Sequence, residues 1–278
     1  MTKVISSCYN ITLNDAVDTE WLSALLFEWG ASGIEETASS LLVYFSSTAE
    51  NLSEVEANLK AQKIAFSKSI EEEKNWNQIW EESFQPVYIE GLVEIRASFH
   101  APQPNFTYSI LIDPKMSFGT GHHPTTEQVI RQMSHLDFND KHVIDIGSGT
   151  GILAILAEMM GAKEIVAFDN DSWCYENCKE NIALNHTSHV LPLLGEKLPS
   201  DGAYDIILAN INRNYHLENL PQMAQILNDD GYMLLSGFLT EDVKMILDVA
   251  EQNHLIATYY TESNNWVCIT LRKIIIPN

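Results

Sequence analysis

The stretch "VIDIGSGTGILA" places Gly147, Gly149 and Gly151 two apart, directly after the apolar run His142–Ile146. Glycines let a backbone turn tightly and let a ligand approach where a Cβ would stand. Ile152–Met160 reads as a following helix, and Glu164–Phe168 as a second strand ending at Asp169. Strand, glycine turn, helix, strand and terminal acid make a nucleoside-binding βαβ unit, whose acid can accept both hydroxyls of a ribose. The order here is G-x-G-x-G, unlike the dinucleotide pattern G-x-G-x-x-G, and no Gly-Lys-Ser or Gly-Lys-Thr follows to make a phosphate loop. The turn therefore suits a compact ligand, the amino-acid end and ribose of S-adenosylmethionine. Asp145, just before the glycines, is placed to help orient that end.

Two further clusters carry chemistry. In "FGTGHHPTT", Phe118–Thr126, Gly119 and Gly121 permit a tight loop and Pro124 suits the first turn of a helix. Thr120, Thr125 and Thr126 offer hydroxyls there. His122 and His123 are adjacent and point apart on most backbones, and further ligands at metal spacing do not accompany them. The segment reads as a lid over the cofactor, with no metal. In "LANIN", Leu208–Asn212, a strand ends on Asn210 at the edge where ligands of open α/β sheets collect. An Asn amide oxygen there can accept a hydrogen bond from an amine and hold its lone pair toward an electrophile. The bland alternative for such an Asn is a helix or turn cap.

The elements that must position these clusters follow from periodicity. From about residue 110 strands alternate with helices: Ser172–Leu184 and Leu217–Leu227 as helices, Val190–Leu194, Tyr204–Leu208 and Gly231–Ser236 as strands, then a helix over Asp242–Asn253. This alternation predicts a parallel sheet of Rossmann-like type. Ile256–Glu262 and Trp266–Arg272 form a closing antiparallel hairpin. The first seventy residues read strand, helix, strand, strand, helix, strand: Lys3–Leu13, a helix from Asp18 to about Gly30, Gly33–Glu36, Leu41–Phe45, Leu52–Gln62 and Lys63–Ile70. That is the split βαβ, ferredoxin-like α+β order. Between the two, Glu71–Phe84 carries Trp76, Trp80 and Phe84 on one helical face, a packing stripe in a linker, and Val87–Arg96 reads as lead-in strands. The expected organisation is thus a small domain over 1–70, a linker over 71–96 and a cofactor-binding domain over 97–278.

The three clusters, with Asp169 and the linker segment "NWNQIWEESFQPV", resemble the ribosomal protein L11 methyltransferases over about residues 75–272. The glycine turn is shared by most class I methyltransferases; "FGTG.HPTT" followed by "ANI" is far more specific. The resemblance implies an S-adenosylmethionine-dependent enzyme that methylates lysine and N-terminal amines of ribosomal protein L11. It implies Thr126, Gly147, Asp169 and Asn210 as cofactor contacts, with Gly149 in the same turn. It implies that Phe118, Gly119, Thr120 and His122 cover the methionine end, and that the N-terminal domain docks the substrate. Asn210 is the candidate for orienting the amine.

Charge narrows the partners. The chain has 38 acidic and 16 basic residues and a formal charge of −22. Such a field repels nucleic-acid phosphates and attracts basic proteins, besides keeping a protein soluble. An adenine N6-methyltransferase, the main rival, usually carries Asn-Pro-Pro-aromatic where this chain reads Asn-Ile-Asn-Arg. A cofactor-binding module without activity is the other. The chain has no long apolar run and no basic-then-apolar start, which predicts a cytoplasmic protein that does not enter membranes. Cys174 and Cys178, four apart on a helix, are expected to be reduced thiols.

Overall fold

The structure, a computed structural model, describes residues 5–12, 19–37, 40–46, 52–72, 85–113, 119–200 and 202–274. Asp18, the stripe Trp76, Trp80 and Phe84, and Phe118 lie outside the described residues. The chain divides into two compact units, Met1–Phe84 and Gln85–Asn278. Among the described residues no helix is long and apolar enough to cross a membrane.

The first unit runs β1 (Ile5–Thr12), α1 (Thr19–Glu28), β2 (Gly33–Glu36), β3 (Ser40–Ser46), α2 (Leu52–Ala61), β4 (Phe66–Glu72). The strands form one antiparallel sheet in the order β2-β3-β1-β4. Leu22 and Leu26, four apart on α1, and Val55 and Leu59, four apart on α2, bury against Tyr9, Ile11, Val43 and Phe45 of the sheet. The last strand begins three residues later than the expected Lys63. Lys63 adopts a left-handed conformation (φ 57°), and Ile64 N–H bonds back to Leu59 O, so this stretch closes α2.

The second unit opens with a three-stranded sheet: β5 (Val87–Ile89), β6 (Val93–Arg96) and β7 (Tyr108–Leu111). The last of these has no counterpart in the sequence reading. Then follow α3 (Pro124–Met133), β8 (His142–Ile146), α4 (Ile152–Met159), β9 (Glu164–Asp169), α5 (Ser172–Leu184), β10 (Val190–Leu194), β11 (Tyr204–Asn210), α6 (Arg213–Ile226), β12 (Leu227–Leu239), α7 (Val243–Gln252), β13 (Leu255–Ser263) and β14 (Trp266–Lys273). Seven strands make a mixed sheet in the order β10-β9-β8-β11-β12-β14-β13. The strands from β10 to β12 are parallel, and β14 runs antiparallel to both its neighbours. The hairpin thus supplies one edge strand, β13, while β14 is inserted inside the sheet and buried.

Period-two alternation sends successive residues into two cores, one per face. Val143, Ile206 and Leu208 join one; Ile144, Ile207 and Ala209 join the other. The helix expected from Leu217 starts at Arg213, because Asn212 accepts the Tyr215 N–H and caps it one turn earlier. The strand expected over Gly231–Ser236 extends to Leu227–Leu239. In strand order, β8 and β11 are neighbours although two strands separate them in sequence. That is the switch point where open α/β sheets bind ligands.

Candidate active site

The glycine turn leaves β8 at that switch point. Gly147 N–H and Ser148 N–H both donate to Phe168 O, at 2.8 and 3.0 Å, which ties the turn to the end of β9. Gly147 has φ 71°, and a Cβ there would stand 2.8 Å from Ile211 Cδ1. Gly151 has a different task, since its Cβ would meet Cys178 Sγ at 2.6 Å. The third glycine of the motif packs against α5 and away from the ligand side. Asn181 of that helix donates to Thr150 O at 2.9 Å.

A cavity of about 310 Å³ opens above the turn. Gly147, Gly149, Asp169 and Cys174 line one side. Asp169 is 8% exposed; its Oδ2 accepts the Gly149 N–H at 2.9 Å and its Oδ1 the Asp171 N–H at 3.0 Å. Each oxygen keeps a lone pair for a further donor. The other side is formed by His123, Thr125, Asn210, Ile211, Asn212, Gly237 and Trp266. Asn210 Nδ2 donates to Thr126 Oγ1 at 3.4 Å, while its Oδ1 is buried without a hydrogen-bond partner. A buried acceptor left open is costly, and this one belongs to a residue that lines the cavity.

Several residues act at one remove. Asp145 does not line the cavity. It is buried, and its Oδ2 accepts the Ala154 N–H at the start of α4. Burial, reinforced by the Asp169 charge and opposed by the Ala154 bond, pushes its carboxyl up to about 7. Its expected part in orienting the ligand thus becomes a part in holding the helix. Thr150 Oγ1 donates to Gly119 O at 2.7 Å and fixes the loop before α3 over the glycine turn. Thr120 is hydrogen-bonded to His122 Nδ1 at 3.1 Å, and His122 Nε2 donates to Gln85 O at 2.9 Å. His122 therefore faces the chain's own backbone, and the adjacent His123 lines the cavity. His123 Nδ1 accepts the Thr125 N–H and caps α3, and its ring meets Trp266 edge-on at 4.8 Å. Burial lowers its pKa, which favours the neutral ring. Thr126 reaches the site through Asn210.

Sequence reasoning places His123 only within the lid segment and gives Trp266 and Gly237 no place in the site. His123 carried a signal, since it directly precedes the Pro that starts a helix. Trp266 and Gly237 carried none, being single residues in strands that only the sheet order brings to the site. The residues fit a nucleoside cofactor: two glycines without a Cβ in the way, an acid with open lone pairs, and an unpaired acceptor opposite.

A family model described as ribosomal protein L11 methyltransferase matches residues 10–274. The chain belongs to this family. Among curated proteins, the ribosomal protein L11 methyltransferase of Phocaeicola vulgatus is 40% identical, with 94% of each chain covered. That of Bacteroides thetaiotaomicron is 37% identical over 93% of each. Among solved structures, the ribosomal protein L11 methylase of Lactobacillus delbrueckii subsp. bulgaricus superposes with a TM-score of 0.65 at 28% identity. It covers 68% of this chain and all of its own. Membership explains why "FGTGHHPTT", the glycine turn and "LANI" converge on one cavity.

Proposed function

We propose that this chain transfers methyl groups from S-adenosylmethionine to lysine side chains and the N-terminal amine of ribosomal protein L11. The observation that carries the reading is Asn210, which lines the cavity together with Asp169 and whose buried Oδ1 has no hydrogen-bond partner. When bound, the cofactor supplies a methyl group already activated on a sulfonium sulfur, with a thioether as leaving group. The chain's own residues then have three tasks. Asp169 holds the ribose hydroxyls, while the Gly147–Gly149 backbone lies against the cofactor. Gly119 and Thr120 cover the methionine end, and His122 anchors their loop through its bonds to Thr120 and to Gln85 O. Asn210 accepts an N–H of the incoming amine and aims its lone pair; the Thr126 bond keeps that carboxamide from turning. Lysine ordinarily titrates near ~10.4, so the amine must reach Asn210 without its proton.

The strand order β2-β3-β1-β4 supports a ferredoxin-like reading of the first unit. We assign substrate docking to the first unit and methyl transfer to the second, Gln85–Asn278; the strands β5 and β6, expected in a linker over 71–96, pair with β7 inside that second unit. A charge of −22 favours a basic protein partner over free nucleic acid and suits a cytoplasmic enzyme.

Purified L11 and methyl-labelled cofactor test the reading. Wild type should label the protein. Asn210→Ala should lose about 100-fold or more in turnover while binding the demethylated cofactor within roughly tenfold of wild type. Label in nucleic acid, no label at all, or undiminished turnover by Asn210→Ala overturns it.

A further inference from the structure

Behind Asn210 lies a fully buried histidine that makes no contact with the cavity. His216 sits in the first turn of α6 and is 0% exposed. Its Nε2 lies 2.8 Å from Ser236 O, and its ring meets Phe238 edge-on at 5.4 Å. A carbonyl can only accept, so Nε2 carries the proton and Nδ1 is a bare acceptor, buried with no partner. Burial drives the ring's pKa down to about 4, against the pull of the Ser236 and Ile211 carbonyls, so the ring is neutral at working pH.

The bond matters because of what else Ser236 O holds. It accepts the Ile211 N–H at 3.1 Å, and Ser236 is the register partner of Asn210 across β11 and β12. Ser236 Oγ in turn donates to Val267 O, next to Trp266. One carbonyl thus receives the residue after Asn210 and the His216 imidazole together. At the next position, Gly237, a Cβ would stand 2.2 Å from Ile211 O, so backbone lies directly on backbone.

We propose that His216 is a positioning residue for methyl transfer: through the Ser236 carbonyl it fixes the Ile211 backbone and hence the height of the Asn210 carboxamide over the cavity. This rests on the proposed role of Asn210. A buried histidine is a costly way to fill a core, because its second nitrogen stays unpaired. A leucine would fill the space without that cost. What leucine lacks is a donor.

The test compares His216→Leu, which keeps the volume and loses the donor, with His216→Gln, whose amide N–H can reach the same carbonyl. His216→Leu should lower kcat about tenfold or more with KM for the cofactor within twofold, and shift the Asn210 side-chain amide signals in a 15N spectrum. His216→Gln should restore both. Wild-type kcat and unmoved Asn210 signals in His216→Leu overturn the proposal. So does a His216→Gln that fails as badly as the leucine variant. If His216→Leu does not fold, the wild-type imidazole decides: 15N shifts should report the Nε2–H tautomer, and an Nδ1–H tautomer overturns the bond. If wild type leaves L11 unlabelled, the substrate reading falls while the Asn210 amide signals still test His216.

Discussion

One side of the cavity comes from a single run of chain, Gly147 to Cys174, whereas the other draws on the loop before α3, the end of β11, Gly237 of β12 and the start of β14. The first side is local: strand, turn, helix and strand follow in order, so spacing in sequence is spacing in space. The second is assembled by sheet order, which places β11 beside β8 and inserts β14 beside β12. The contiguous side offers the glycines and an acid suited to the cofactor. The assembled side offers Asn210, to which we assign the incoming amine, and the aromatic pair His123–Trp266. In the proposed reading, cofactor recognition is thus carried by a motif and amine recognition by a topology.

The contiguous side contains two acids, and the largest expected effect separates them. Asp169 faces the cavity; Asp145 is buried beneath it with a carboxyl held near about 7. A folded-state pKa above the unfolded value, near ~3.9, means that the folded chain keeps a proton the unfolded chain has released. Asp145 therefore stabilises most below about pH 4, and that contribution is lost as pH rises to about 7. Asp145→Asn keeps an acceptor for Ala154 and removes the titration. Its stability relative to wild type should climb by about 4 kcal/mol from pH 4 to 7, at about 1.4 kcal/mol per unit, and level off above. Chemical denaturation across that range reads the gap. Parallel curves would place the Asp145 proton elsewhere.

The two sides meet at Ile211, and the next effect probes that meeting from both directions. A Cβ on Gly237 would lie 2.2 Å from the Ile211 backbone oxygen, at φ 93°. A Cβ on Gly147 would lie 2.8 Å from Ile211 Cδ1, the far end of a side chain that can turn away. Gly237→Ala should cost roughly 3 kcal/mol, and Gly147→Ala about 1–2 kcal/mol from the left-handed backbone alone. Thermal melts of the two variants give the order. A Gly147→Ala that melts first would make the contiguous side the stiffer one.

This difference also explains what the sequence disclosed. The boundaries of α5 and β10 match the reading from periodicity, and Gly147, Gly149, Asp169 and Asn210 line one cavity. Each was legible because its signal is local: a period, a cap, or a turn between two apolar runs. Trp266 looked like the first residue of an ordinary strand, since its role depends on β14 lying beside β12. Asp145 illustrates the opposite limit. Its place in the motif suggested a ligand contact, and only its burial and its bond to Ala154 show that it serves the helix.

The smallest effect lies within the assembled side and decides between its two asparagines, which the sequence presents almost side by side. Asn212 Oδ1 is committed to the Tyr215 N–H at 3.1 Å as the cap of α6, whereas Asn210 Oδ1 has no partner. Asn212→Ala should therefore lose about 1 kcal/mol of stability, the usual worth of an N-cap. Asn210→Ala removes a buried acceptor whose desolvation nothing offsets, and gives up only a 3.4 Å bond to Thr126. It should be as stable as wild type or slightly more so, while losing methyl transfer. Urea midpoints set against turnover for both variants test this opposition. Equal losses of stability would make Asn210 a second fold residue, and the open acceptor would then be no sign of a reacting amine.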